Sequence, residues 1–215
     1  MLRVEKLKVG TLPPLSFEVA AGECLAVEGP SGSGKTRLLR AIADLDAAEG
    51  YVFFEGAERG EMPAPEWRRR IRYVAAEPAW WLHTPRAHWP GGRPAPRHER
   101  VLASLGLSVD LLDRPVWELS TGERSRLGLA RALCDEPRVL LLDEPTSALD
   151  VQATALVEEL IKFQLLAGRS ALLVSHDPAQ IARLAHQRLL LGAASPGPPI
   201  GVSVASAPVQ AGTVR

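Results

Sequence analysis

Residues 29–36 read GPSGSGKT, and each residue type in that stretch suits one task. Gly29, Gly32 and Gly34 would let backbone N–H groups curl around phosphate oxygens. Lys35 is long enough to reach the outer phosphates, and the Thr36 hydroxyl is a ligand suited to Mg²⁺. Pro30, Ser31 and Ser33 fill the remaining places of the pattern G-x-x-x-x-G-K-[ST]. A chance Gly-Ser turn is the plain alternative. Against it, an apolar run precedes the stretch and a helical pattern follows it, as a phosphate-binding loop requires.

A second constellation is VLLLDEPTSALD at 139–150. Asp143 closes an apolar strand, at the end where parallel sheets bind ligands, and would hold the water shell of a Mg²⁺ ion. Glu144 follows it and is free to polarise an attacking water as a general base. Taken alone, the pair reads equally well as a solvated strand end turning at Pro145. After a phosphate loop it reads as metal ligand and base. A third stretch, LSTGERSRLGLAR at 119–131, opens a helix. Ser120 and Glu123 have the spacing of a capping box. Yet Gly122 is a poor helix former, and it leaves the backbone bare at an end that favours anions. LLVSHD at 172–177 sets His176 just past a strand.

Strands are expected at Leu2–Val9, Leu15–Ala20, Cys24–Glu28, Tyr51–Glu55, Ile71–Ala75, Val139–Leu142, Ser170–Ser175 and Arg188–Leu191. Helices are expected over Lys35–Leu45, Pro65–Arg70, from Ser120 to about Cys134, over Leu149–Ala167 and over Pro178–Ala185, with short ones at Arg97–Leu105 and Leu111–Leu112. This alternation predicts an α/β fold whose mostly parallel sheet is covered on both faces. Between Glu77 and Pro96 five prolines break regular structure, and Trp80, Trp81 and Trp89 crowd together. From Ala193 onward the sequence is of low complexity and is expected to be a flexible tail.

The bulk numbers bound the rest. A chain of 215 residues with 46% hydrophobic and 23% charged content is one ordinary globular domain with room for a small insertion. Its formal net charge of zero gives no electrostatic reason for a nucleic-acid partner. The run Trp67-Arg68-Arg69-Arg70 is expected to be a solvated helix face rather than a nucleic-acid contact. Cys24 and Cys134 sit in apolar runs, as buried thiols of a reducing compartment do. The start, MLRVEKLKVG, lacks the apolar core of a signal peptide. No apolar run approaches the ~18 residues of a spanning helix. A cytoplasmic location is expected.

In their order, GPSGSGKT, LSTGERSRLGLARAL, VLLLDEPTSALD and LLVSHD resemble the ATP-binding cassette ATPases over residues 1–192. That resemblance implies a P-loop NTPase core with an antiparallel β subdomain near the N-terminus. It also implies a small helical subdomain inserted at about 78–118 and a tail at 193–215. LSTGE is similar to the family's signature, usually LSGGQ, with Ser120 and Gly122 kept, Thr121 in place of a glycine and Glu123 in place of glutamine. In the family two cassettes pair head to tail. Ser120, Gly122 and Glu123 are then expected to close on the γ-phosphate held by a second copy, which answers why one chain would carry two anion-friendly helix starts. SALD at 147–150 resembles the loop that crosses that interface, and His176 the histidine that senses the γ-phosphate. The implied cofactors are ATP and Mg²⁺. The implied role is the ATP-hydrolysing subunit of a transporter, held at the membrane's cytoplasmic face by a separate integral permease. The short build is most similar to ATPases of iron- or metal-export systems.

Two further places depart from the family pattern. IRYVAAEPAWW sets Ala76 where the family has a glutamine, with Glu77 after it as a displaced candidate. No aromatic residue lies near Val9–Leu15 to stack on adenine. Ala76 and Glu123 motivate an alternative, a nucleotide-gated module with little turnover, while the missing aromatic bears on how the base is held. A cassette ATPase acting on DNA or ribosomes is a further alternative, without the coiled coil or second cassette such proteins carry. The exposed-tryptophan reading of the insertion, a docking surface for the permease, and the small-local-core reading stand side by side.

Overall fold

The computed structural model describes residues 1–89, 92 and 95–192; the expected tail at 193–215 lies outside the described residues. Its strands are β1 (Leu2–Lys8), β2 (Leu15–Val19), β3 (Cys24–Glu28), β4 (Glu49–Phe54), β5 (Ala57–Glu58), β6 (Ile71–Val74), β7 (Val139–Asp143), β8 (Ser170–Val174) and β9 (Gln187–Leu190). Its α-helices are α1 (Lys35–Ile42), α2 (Ala64–Arg70), α3 (Pro96–Ser104), α4 (Thr121–Ala132), α5 (Val151–Leu166) and α6 (Pro178–Leu184).

Two sheets organise them. An antiparallel sheet runs β2-β1-β4-β5 and a parallel one runs β6-β7-β8-β3-β9. β7 and β8 are buried at every residue, the signature of parallel strands covered on both sides. Their side chains alternate between two cores. Leu140, Leu142, Ala171 and Leu173 face the layer containing Leu127, Leu129, Val157 and Ile161, whereas Val139, Leu141, Leu172 and Val174 face the layer containing Leu38, Leu39 and Ile42. Burying each such leucine, isoleucine or valine stabilises the fold by roughly 1.5–3 kcal/mol. The described residues of the insertion have no core of their own. Trp89, Leu102, Leu105 and Leu112 are buried in the same layer as α4 and α5.

Ladder and cap details explain where the expected boundaries move. In β1 the register slips between Val4 and Leu7, and Lys6 takes a φ of 49°. That bulge turns Leu7, not Lys6, toward the core. α5 begins two residues later than the apolar pattern suggests because Asp150 is its cap; the carboxylate accepts the Ala153 N–H at 2.8 Å. α1 ends at Ile42 rather than Leu45. Asp44 adopts a left-handed φ of 59°, and side chains satisfy the last carbonyls. The Trp67 indole donates to Ile42 O at 2.9 Å, Arg59 to Ala41 O at 2.6 Å and Arg68 to Asp44 O at 2.6 Å.

Arg68 and Arg69 are exposed and Arg70 half-buried, as a solvated face requires, but the run is also tied to the rest of the fold. Trp67 is fully buried, Arg68 caps α1, and Arg70 pairs with Glu66 one turn earlier. These contacts clamp the far end of the helix that starts at the phosphate loop.

Candidate active site

β3 delivers the chain into the 29–36 loop, and α1 leaves it. Gly34 is the cap residue of α1, at φ 94°, and no side chain caps the helix. The first turn carries no acidic residue, so its free N–H groups and positive dipole end stay available. Gly29 passes close to the strand-end backbone. A Cβ there would come 2.5 Å from the Leu191 carbonyl oxygen, so only glycine fits. Lys35 is only 7% exposed, and its ammonium group arches back to donate to Gly29 O at 2.7 Å and Pro30 O at 3.0 Å. Ser33 Oγ is buried in the loop without a hydrogen-bond partner. Ser31 and Thr36 are exposed.

The carboxylates lie at the adjoining strand end. Asp143 is the last residue of β7 and is 4% exposed. Tyr73, on the neighbouring β6, donates its hydroxyl to Asp143 Oδ2 at 2.8 Å. Burial first, and then the Asp143 carboxylate, hold the Tyr73 phenol above its usual range, so it remains a donor. Glu144 takes a left-handed φ of 48°, a conformation that costs a non-glycine residue about 1 kcal/mol or more. Its surroundings over-determine it. The Glu144 N–H donates to Val174 O at 3.0 Å, and its carbonyl accepts from Ser147 N at 3.2 Å and Ser147 Oγ at 3.1 Å. The turn aims the side chain at His176, whose Nε2 lies 3.1 Å from Glu144 Oε1. Two residues separated by 32 positions meet because β7 and β8 are adjacent and parallel.

A buried brace lies behind that pair. The fully buried Gln180, on α6, donates to Thr146 Oγ1 at 2.9 Å and to Glu158 Oε1 at 3.2 Å. Arg183 grips Glu158 with two bonds of 2.7 Å and, with help from Gln180, holds its carboxyl below the usual range. The loop after Glu144 and the helix after His176 therefore share one anchor on α5.

The Ser120 start has the expected capping box. Glu123 N donates to Ser120 Oγ at 3.2 Å and Ser120 N donates to Glu123 Oε2 at 2.8 Å. These bonds, the backbone one first, hold the Glu123 carboxyl below its ordinary range. Gly122 faces the loop that follows Glu144; a Cβ there would sit 3.4 Å from Leu149 Cδ2 and 3.6 Å from Ala148 O. Among the described residues no hydrogen bond or ion pair joins the Ser120–Glu123 start to the Gly29–Thr36 loop. Ala76 lies in a stretch fastened to α4. Pro78 packs against Gly128 so closely that a Cβ would collide with its ring, and Arg131 donates to Ala79 O at 3.1 and 3.2 Å. Glu77 is exposed and makes no ion pair among the described residues. Near the Val9–Leu15 turn an aliphatic side chain, Leu12, lies against Gly34.

The family model for the ABC transporter matches residues 12–147, which include the phosphate loop, the Ser120 start and the strand-end carboxylates. The chain belongs to the ABC transporter family as an ATP-binding cassette. Several relatives bear this out. The cassette is 38% identical over 203 residues to the hemin import ATP-binding protein of Streptomyces coelicolor, covering 87% of this chain and 72% of that one. It is 35% identical over 206 residues to the nickel import ATP-binding protein of Rhodobacter capsulatus, covering 86% and 81%. Similarity to the glycine betaine uptake ATP-binding protein of Escherichia coli is 35% over 189 residues, covering 82% and 61%. Among solved structures, an ABC transporter ATP-binding subunit superposes with a TM-score of 0.80 at 25% identity, over 89% of this chain and 85% of that one. A dimeric ATP-binding cassette bound to ADP and Pi superposes at 0.75 with 24% identity, over 89% and 94%. The cassette is an ATPase.

Two features of the cassette itself fit a nucleotide with its cation. Ser33 Oγ is a buried polar atom left without a partner inside the loop. Asp143 is a nearly buried carboxylate that no cationic side chain pairs among the described residues. No cluster of three or more His, Cys, Asp or Glu that could hold a metal occurs among the described residues. Mg²⁺ needs none, since it keeps waters and binds through one or two protein oxygens plus phosphates. No helix among the described residues is long and apolar enough to cross a membrane.

Sequence reasoning missed Tyr73, Glu158, Gln180 and the Gly128–Pro78 contact. Glu158 carried a signal. It interrupts the apolar face of α5 beside Val157, Leu160 and Ile161, and a charge on such a face needs a partner.

Proposed function

We propose that this cassette energises a transporter as a head-to-tail pair attached to a separate membrane permease, at the cytoplasmic face. The observation that carries the reading is the Glu144–His176 contact of 3.1 Å, beside a phosphate loop whose helix start is uncapped. Backbone N–H groups of Gly29–Thr36 cradle the phosphates of ATP, and Lys35 turns from its own loop carbonyls toward the β- and γ-phosphates. Thr36 and Asp143 would hold Mg²⁺, which would supply neutralisation of the charge developing on the phosphates. Glu144 takes the proton of the attacking water as general base. His176 orients Glu144 and meets the γ-phosphate. Ser120, Gly122 and Glu123 serve the γ-phosphate held by the other copy. The lack of any bond between this start and the chain's own phosphate loop supports that trans assignment.

Trp81 and Trp117 are 71% and 68% exposed and line an open cleft of about 560 Å³, while Trp89 is buried. Trp89 and the buried leucines of this segment belong to the layer shared with α4 and α5, not to a local core, and we assign its exposed face to the permease. The relatives above are named for import of hemin, nickel and glycine betaine. Import of a small solute, with a metal or metal complex as one cargo class, therefore has more support than the metal export suggested by the short build. Ala76 supports a second reading, a nucleotide-gated module with little turnover.

Steady-state MgATP hydrolysis against protein concentration, with Glu144→Gln as control, tests both. Turnover that rises faster than linearly and vanishes in the variant supports the dimeric ATPase. ATP binding without turnover, with and without the permease, would leave the gated module.

A further inference from the structure

The Tyr73–Asp143 hydrogen bond has no part in the roles assigned above, yet it holds the carboxylate on which the metal reading depends. In the parallel β6–β7 ladder Tyr73 stands opposite Leu141, two residues short of Asp143. Residues i and i+2 of a strand share a face, so Asp143 and Leu141 project to the side on which Tyr73 packs. The phenol spans that step along the strand and places its hydroxyl 2.8 Å from Asp143 Oδ2. The ring is confined in turn. The Arg40 guanidinium of α1 lies 6.0 Å from its centroid, and Arg40 is pinned to Asp46 by bonds of 2.9 and 2.8 Å. Three rigid elements, β6, β7 and α1, therefore set the position of one hydroxyl.

That hydroxyl has a directional effect. With Oδ2 engaged, the carboxyl plane cannot rotate without losing a hydrogen bond to a charged group, the stronger kind. Oδ1 has no hydrogen-bond or ion-pair partner among the described residues, so it is the oxygen left free, and its direction is settled before any ligand arrives. A hydrated Mg²⁺ demands near-octahedral geometry at its ligands, so a pre-set carboxylate oxygen matters more to it than to a more flexible cation. Tyr73 also lies in the strand that feeds the Ala75–Ala79 loop, three residues before Ala76, whose methyl group can link that loop to no metal.

We propose that Tyr73 is the positioning residue for the Mg²⁺ site, fixing Asp143 through Oδ2 so that Oδ1 faces the metal's water shell. This rests on the reading of Asp143 as the metal-side carboxylate. The two are separable in one experiment on the full chain. A trinitrophenyl ATP derivative is titrated by fluorescence into the native protein, Tyr73→Phe and Asp143→Asn, first in EDTA and then across a Mg²⁺ series. Loss of a partner behind a metal ligand typically weakens metal binding 10- to 100-fold; because waters mediate this contact, about 10-fold is expected for Tyr73→Phe. Its half-saturating Mg²⁺ should rise by that factor while its affinity in EDTA stays unchanged. The ratio of the two affinities cancels any general loosening of the fold. A Mg²⁺ shift in Asp143→Asn with none in Tyr73→Phe overturns the positioning role alone. No shift in either variant overturns the metal role of Asp143, and this inference with it.

Discussion

Helices α1 and α4 both begin at serine- and glycine-bearing turns, but their first turns are furnished in opposite ways. α1 follows Gly34 with no side-chain cap, and its Lys35 ammonium group is parked on two carbonyls of its own loop. α4 is closed on itself: Ser120 accepts one N–H, and Glu123 accepts another and adds a negative charge. The first end is open to phosphate within a single chain. The second has two of its N–H groups engaged in the isolated chain, while the Ser120 hydroxyl, which only accepts there, keeps its proton for a phosphate arriving from a second copy. On the proposed assignment, affinity for nucleotide resides in α1 and the dependence of turnover on pairing in α4.

The largest expected break in this contrast is Lys35→Ala. Losing a charged hydrogen-bond donor to phosphate removes on the order of 3 kcal/mol, about 100-fold in nucleotide Kd, read by fluorescence titration. Ser120→Ala should leave that Kd unchanged and lower turnover by about 100-fold, as loss of one transition-state donor does. If it weakens binding by the isolated chain instead, the contrast between the two ends is wrong. Dimers mixed from Lys35→Ala and Ser120→Ala chains sharpen the point. One composite site carries both defects and the other none, so about half the native turnover is expected where the sites act independently; complete loss would signal strict coupling or no trans site.

Gly128→Ala separates the start of α4 from its flank. The Pro78 ring fills the space a Cβ needs, so the melting midpoint should fall by the equivalent of about 1–3 kcal/mol, with Kd in EDTA little changed. The smallest effect belongs to Glu123→Gln, which keeps the reach of the side chain and removes its charge. A charge at a helix N-terminus contributes roughly 0.3–1 kcal/mol. Because the folded Glu123 carboxyl lies below its ordinary range, its contribution is present above the unfolded pKa of about 4.3 and is lost as pH falls through the folded value. Melting curves of the two proteins should differ at pH 7 and converge in acid.

Much of this was legible without coordinates, for a local reason. The loop at 29–36, the capping box at Ser120 and the carboxylates at Asp143 and Glu144 are contiguous motifs whose chemistry follows from residue type and spacing. Strands such as Cys24–Glu28 end where polar or glycine residues begin. The missed details depend on other segments. The 57–58 strand is too short to show a period, and nothing in the sequence around Trp67 and Arg68 signals their partners, the carbonyls of Ile42 and Asp44 respectively.

Residue order by itself determined the phosphate loop, the alternation of strands and helices and the identity of the acid at the end of β7. Each depends on neighbours within a few positions. Only the tertiary structure decided that Glu144 meets His176, that Tyr73 holds Asp143 and that Gln180 ties Thr146 to Glu158. The physical reason is strand order. β6, β7 and β8 are neighbours in the sheet but lie far apart along the chain, and a hydrogen bond of about 3 Å cannot be inferred until the ladder register is set.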